Sequence, residues 1–399
     1  MNTPRLLSSP DLDNQVSRDL LTSDLPASEP LDFQRLGSAK TAYTTRFVSR
    51  LIASDPHGYR LLTGDQIVPQ AGDIVLARVH RLGQHVRIER PDSYKAALFE
   101  GDEILVAYGS RYAPDQFEAE VPATLGMTHL VAAGGLAGTV ITKHSKMAMP
   151  TEIEALGILA DDRGKMTLQR CAPFKAVAPQ AAHSLRRVGK PLVIGVLGTS
   201  MNSGKTTTVA SIVRGLAKAG LQVAAGKVTG TGAGGDPNLF KDSGATRVLD
   251  FSDFGYGSTY QLGHEDVRAL LVSLIAELAT TKPDVIVVEV ADGLYQQETA
   301  RLVQDPLFKQ HIDKVVFAAG EALGAIAGQM LLAQRGLSPV AISGMLTASP
   351  LAKREAAAAL DVPVLDKDDL ASAKVADLLM RGCVTPAILR CETDERVAG

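Results

Sequence analysis

Tryptophan is absent from the 399 residues, and aromatic residues of all kinds make up only 5%. Proteins that hold single-stranded nucleic acid stack bases on such rings, so that class is not expected. An excess of one charge is also lacking. Lysine and arginine number 41 against 44 aspartates and glutamates, a formal net charge of −3. That balance argues against a broad nucleic-acid footprint, leaving room only for a local basic patch. Cysteine is scarce: Cys171, Cys383 and Cys391 are too scattered for a disulfide framework, and no Cys-x-x-Cys pair occurs. A reducing compartment, the cytoplasm, is expected. No unbroken apolar run reaches membrane length. The stretch Val315 to Ala333 is interrupted by Glu321 and Gln329 and reads as a buried strand followed by a helix. Met1 to Leu36 lacks the apolar block of an export signal. A Gly-x-Ser-x-Gly elbow is missing, and the eight histidines show no metal-ligand spacing, so neither a hydrolase triad nor a histidine metal centre is expected.

What is present is a globular composition, 45% apolar and 21% charged, long enough for two or three domains. Residues 1–38, punctuated by Pro4, Pro10, Pro26 and Pro30, read as a flexible arm. Residues 39–122 read as a β-rich domain. Ile74–Val79 and Ile104–Tyr108 each follow a Gly-Asp turn, and Val86–Arg90 alternates apolar and polar. Short strands at this spacing predict a small antiparallel barrel or sandwich. Residues 123–190 form a mixed segment and linker. Within it Thr139–Thr142 reads as a strand, and Thr151 with Glu154 has the spacing of a helix capping box. Residues 191–370 alternate continuous apolar strands (Leu192–Leu197, Val223–Lys227, Val285–Glu289, Val315–Ala319, Val340–Met345) with helices near 205–219, 265–280 and 323–334. That pattern predicts an α/β domain with a parallel sheet covered on both faces. Residues 371–399 read as a C-terminal tail.

The first apolar strand runs into Gly198-Thr199-Ser200-Met201-Asn202-Ser203-Gly204-Lys205-Thr206-Thr207. Five residues separate the glycines, one more than in the usual phosphate loop. The chemistry is that of a phosphate cradle. Backbone N–H groups and a helix N-terminus face the anion, Gly204 allows close approach, Lys205 supplies a cation, and the Thr206 hydroxyl is offered to Mg²⁺. Gly198, Thr199, Asn202, Ser203, Gly204, Lys205, Thr206 and Thr207 are therefore the nucleotide-site candidates. The second strand ends in Lys227-Val-Thr-Gly-Thr231-Gly232, and the third in Glu289-Val-Ala-Asp292-Gly293. An acid ending an apolar strand beside a phosphate loop is a Walker-B-like arrangement. Glu289 is accordingly a Mg²⁺ ligand candidate, while Asp292 would bind metal, orient water or recognise substrate. The segment Tyr108–Phe117 is dense in recognition-type side chains, and Lys143-His144-Ser145-Lys146 reads as an exposed basic loop.

The form Gly-Thr-x-x-x-x-Gly-Lys-Thr resembles dethiobiotin synthetases and the related cobyrinic acid amide synthases, P-loop NTPases. Further matches follow in order over about 192–363. Lys227, Thr231 and Gly232 fit a Lys-Pro-Val-x-Thr-Gly motif. Glu289, Ala291 and Gly293 fit Glu-Gly-Ala-Gly-Gly, with Val290 and Asp292 replacing glycines. Gly320, Leu323, Gly324 and Ile326 fit Gly-x-x-Leu-Gly-x-Ile.

The resemblance implies an ATP- and Mg²⁺-dependent enzyme that phosphorylates a carboxylate or carbamate and lets a nucleophile displace phosphate. GTP stays open, because the asparagine expected near the base is missing. Lys205 and Lys227 would neutralise the transferring group, with Asp292 as a further catalytic candidate. Thr206, Glu289 and Asp236 would hold the metal, with Asp242 the rival to Asp236. The expected partners are a small-molecule carboxylate or amine and a second copy of the chain in a homodimer. Dethiobiotin synthesis itself is not expected, given the departures at Val290 and Asp292 and the extra β-rich domain. An NTP-driven switch or assembly factor is the alternative.

Overall fold

The computed structural model describes residues 27–54, 58–178 and 190–381. The first 26 residues of the expected arm, Arg186-Arg187 of the linker, and the tail beyond 381 with Cys383 and Cys391 lie outside the described residues.

The β-rich domain closes on itself. Ile74–Arg81 pairs with Glu103–Tyr108, which pairs with Leu136–Lys143. That strand pairs with Met127–Ala132, then Thr151–Asp161, which returns to Ile74–Arg81. The result is a five-stranded barrel with one parallel pair. The continuous apolar run at 74–79 has a simple cause, since both of its faces are covered. Val75, Ala77 and Val79 join one cluster with Val106, Leu130, Ala137 and Ile153. Ile74 and Leu76 join a second cluster under the helices Phe33–Ser38 and Arg46–Ser54.

Three expectations are corrected here. The stretch 27–38 is not a loose arm: Ala27–Pro30 pairs with Arg60–Thr63, and Leu31 and Leu36 are buried on the barrel. The mixed segment supplies three barrel strands. Thr151–Glu154 begins the 11-residue strand Thr151–Asp161 rather than a helix. Its alternation, Ile153 and Ala155 inward with Glu152 and Glu154 less buried, outweighs the capping-box spacing.

The second domain is the expected α/β unit with a parallel sheet. Six strands lie in the order Arg247–Asp250, Val223–Lys227, Val285–Glu289, Leu192–Gly198, Lys314–Ala318, Pro339–Ser343. Every neighbouring pair is parallel. Successive residues of the central strands enter opposite cores. Val193 and Leu197 pack with the helix His264–Ala279, and Ile194 and Val196 with the helix Lys205–Lys218. Two elements depart from the sequence reading. The edge strand Arg247–Asp250, four residues with charges at both ends, carries too little apolar pattern to announce itself. The helix Val375–Leu379, placed in the tail, buries Val375, Ala376 and Leu379 against Leu216 and its neighbours. Among the described residues no helix is long and apolar enough to cross a membrane.

The barrel packs on loops that leave the C-terminal ends of the strands, where open parallel sheets bind ligands. Arg46, on the barrel side, pairs with Asp253 at 2.8 Å and Asp250 at 3.7 Å, at and just beyond the end of the edge strand. Tyr43 donates its hydroxyl to Asp250 at 3.3 Å. Glu89 accepts from the Gly234 N–H at 3.1 Å, and Asn238 donates to Ser93 at 2.7 Å. Ser110 donates to Gln261 at 2.7 Å on the far side of the same contact.

Candidate functional site

The strand Leu192–Gly198 ends beneath the glycine-rich loop, and the loop hands over to the helix Lys205–Lys218. The helix N-cap is Gly204, in the left-handed region at φ 94°, and no side chain caps it. The first N–H groups of this 14-residue helix therefore stay available to an anion, at its positive dipole end. Neighbouring strands hold the loop. Thr199 N–H donates to the Ala318 carbonyl at 3.0 Å, and Met345 N–H to the Ser203 carbonyl at 3.0 Å. Gly293 must be glycine for the same fit, since a methyl there would collide with the Thr199 carbonyl.

Five predicted ionisable side chains meet in one cavity of about 520 Å³ in front of this loop: Lys205, Lys227, Asp236, Glu289 and Asp292. The β-sheet register explains why. Glu289 pairs in register with Val196 on one side and Lys227 on the other, so the second and third strands deliver both side chains to one edge. Lys205 Nζ donates to the Ser200 carbonyl at 2.7 Å. Burial lowers its pKa below the ordinary lysine value, against the pull of Glu289 and Asp292. Lys227 pairs with Asp236 and, at 3.3 Å, with Glu289. Burial alone would lower Lys227, but the two carboxylates outweigh it and hold the ammonium charged. Asp292 adopts φ 65°, a strained backbone for a non-glycine residue. Burial pushes its carboxyl up to about 6, with Lys205 and Lys227 opposing.

The metal candidates separate cleanly. Glu289 is 2% exposed, and its Oε2 has no hydrogen-bond partner among the described residues. A buried carboxylate oxygen left idle is expensive unless something positive reaches it. Thr206 lines the same cavity. Asp236 also lines it, although one oxygen is committed to Lys227. Asp242 sits at the far end of the helix Gly235–Asp242, exposed and away from the cavity. Mg²⁺ takes hard oxygens, keeps several waters and needs only one or two carboxylates, so this donor set fits it. Among the described residues no group of three or more His, Cys, Asp or Glu stands ready for a cage-type metal.

The loop residues divide by position. Gly204, Lys205, Thr206, Thr207 and Asn202 line the cavity, and Thr199 lines an adjoining one. Gly198 and Ser203 lie beneath the loop. Both are buried, with Ser203 Oγ unpartnered among the described residues, and neither is on the cavity wall. The far wall comes from the barrel: Arg111, Tyr112 and Ala113 face the loop, and Asn202 donates to Asp115 at 2.8 Å across the gap. Sequence reasoning did not place these residues in the site. The only signal was the recognition-type density of Tyr108–Phe117, which cannot say what it faces.

Two further cavities flank the first. A groove of about 410 Å³ shares Gly204, Thr207 and Met345 with it and continues past Gly344 to Asp366–Asp368. On the opposite side a cavity of about 320 Å³ shares Tyr112, Met201 and Asn202 and includes His144 and Tyr295.

A parallel sheet, a glycine-rich strand-to-helix loop and an adjacent strand ending in a buried glutamate together define a P-loop NTPase architecture. No family model and no curated protein matches the chain. Among solved structures it is similar to the signal recognition particle receptor FtsY from Elizabethkingia anophelis, at 18% identity and a TM-score of 0.29. That match covers 39% of this chain and 50% of that one. A second is the signal recognition particle 54 kDa protein from Aeropyrum pernix K1 in complex with GDP, at 16% identity and a TM-score of 0.34, covering 53% of this chain and 50% of that one. A third is chloroplast FtsY from Physcomitrella patens, at 15% identity and a TM-score of 0.34, covering 53% and 70%. The chain thus spans half the length of the first two, and none of the three is a dethiobiotin synthetase. A likeness of this extent carries no activity across.

Proposed function

We propose that the α/β domain binds a nucleoside triphosphate with Mg²⁺ and that the chain transfers the terminal phosphoryl group to a small carboxylate or carbamate. One observation carries this reading. Two lysines, an idle buried glutamate and an aspartate of raised pKa converge on a cavity at an uncapped helix N-terminus, and that cavity opens on both sides. The nucleoside lies in the groove past Gly344, the phosphates along the loop, and the acceptor on the Tyr112–Tyr295 side.

Lys205 and Lys227 stabilise charge on the transferring group. Thr206, Glu289 and Asp236 would hold Mg²⁺, which would supply positive charge to the phosphates. The acceptor carboxylate oxygen attacks the terminal phosphorus, and the nucleoside diphosphate leaves. An amine then displaces phosphate from the acyl phosphate and loses a proton. Asp292, ionised above about pH 6, would take it. ATP is the proposed nucleotide, as the resemblance implies.

The test is phosphate release from ATP or GTP, with and without pools of carboxylic acids and amines. Release that depends on an acceptor supports phosphoryl transfer. Steady release indifferent to every acceptor favours the second reading, an NTP-driven switch. That alternative has its own support. The barrel rests directly on the phosphate loop and on the loops beyond the edge strand, so a change there reaches it.

A further inference from the structure

One cation in the cavity has no role in this scheme. Arg111 follows the barrel strand Glu103–Tyr108 and is 6% exposed. Its backbone is fixed by paired bonds with Ala119 at 2.8 and 3.0 Å, and its Nη2 donates to Gln116 at 2.8 Å. Nε and Nη1 are buried and have no partner among the described residues. Burial pushes the guanidinium down to about 10, with Asp115 opposing, so it stays charged at neutral pH. Asp115 acts on it only through space: its Oδ2 accepts from Asn202, its Oδ1 has no partner among the described residues, and it makes no hydrogen bond to Arg111. His85 nearby is held neutral, pushed down to about 4 by burial and by Arg111 itself. A buried guanidinium with two idle N–H groups is unfavourable in the free protein. Its planar fork matches an oxyanion.

Position narrows the choice of anion. The nucleoside groove joins the cavity at Gly204 and Thr207, whereas Arg111 stands on the barrel wall beside Tyr112, which is shared with the acceptor-side cavity. A phosphate chain entering from the groove and passing Lys205 ends towards that wall. We infer that Arg111 is a ligand of the terminal phosphoryl group of the bound nucleoside triphosphate, supplied by the barrel of the same chain. This rests on the nucleotide reading above. It adds that the barrel distinguishes triphosphate from diphosphate, because a diphosphate does not reach the arginine.

The experiment compares wild type, Arg111→Met and Arg111→Lys in full-length protein. Titration calorimetry uses Mg²⁺ with non-hydrolysable ATP and GTP analogues and with ADP and GDP. Thermal melts are run without ligand. The expected result for Arg111→Met is at least a tenfold loss of triphosphate affinity, with diphosphate affinity within twofold of wild type. Arg111→Lys recovers part of the loss. The ligand-free Met variant melts no lower than wild type, because a strained cation has been removed. Equal weakening of both nucleotides, unchanged triphosphate affinity, or a Met variant melting well below wild type would each overturn the assignment. Wild-type protein that binds no nucleotide would sink the nucleotide reading itself, and the arginine's role with it.

Discussion

Asp292 is the residue on which the proposed chemistry turns. Burial raises its carboxyl to about 6, so the base form appears as pH rises through that value. Acceptor-dependent turnover should therefore rise on an acid limb near pH 6, and Asp292→Asn should lose that limb along with roughly 100-fold or more in rate. A limb that survives in the variant would assign the base elsewhere. Glu289→Gln tests the metal. The variant keeps the shape but loses the charge of the idle oxygen, and the Mg²⁺ concentration for half-maximal turnover should rise roughly tenfold or more. The position of both residues at the cavity was legible in the sequence, because Glu289 ends an apolar strand beside a glycine loop and Asp292 follows it closely. The rivalry between Asp236 and Asp242 was not, since six residues along a helix reverse which end faces the cavity. Arg111 was equally hidden, as its site is assembled only when a second domain folds against the first.

Elements were legible where their pattern matched their burial. The strands Val223–Lys227 and Val285–Glu289 and the helix beginning at Lys205 fall where continuous apolar runs and the Gly-Lys-Thr junction put them. The edge strand Arg247–Asp250 and the barrel strand beginning at Thr151 did not show. One was too short, and the other carried a local cap-like spacing that sheet pairing overrode. The loop's support makes an element-scale prediction. Gly344 follows the strand Pro339–Ser343 at φ 101°, and an added methyl would strike the Ser203 carbonyl of the phosphate loop. Gly344→Ala should cost roughly 1–3 kcal/mol from backbone strain and should weaken nucleotide binding, although Gly344 itself carries no reactive group. Denaturant unfolding beside calorimetric titration checks both parts, and unaltered binding would mean the loop does not lean on this strand.

At the scale of the whole molecule, the barrel is part of the site rather than an appendage. Arg46, Asp250 and Asp253 form a buried charged cluster where the barrel meets the loop beyond the edge strand. Removing one partner from such a cluster strands the other charge, at about 3–5 kcal/mol. Asp250→Ala is thus expected to loosen the domain contact. Scanning calorimetry should show one heat-absorption peak in wild type and two in the variant, and a single unshifted peak would contradict a coupled pair of domains. A barrel was one of the two expectations raised by the Gly-Asp turns, but the alternating stretch Val86–Arg90 pairs outside it, as Arg87–Glu89 against Lys95–Ala97. The barrel's placement was not legible, because the contacts that dock it are single polar side chains scattered from Tyr43 to Gln261, with no period to read.

The central claim is that the loop from Gly198 to Thr207 holds the phosphates of a nucleotide. Titration calorimetry of wild type and Lys205→Ala with Mg²⁺ and either ATP or GTP tests it directly. The account predicts saturable binding by wild type, with a preference for ATP, and a loss of roughly 10- to 100-fold in the variant, the worth of a charge-assisted contact to phosphate. Equal affinity in the two proteins, or no binding of either nucleotide by wild type, would contradict it.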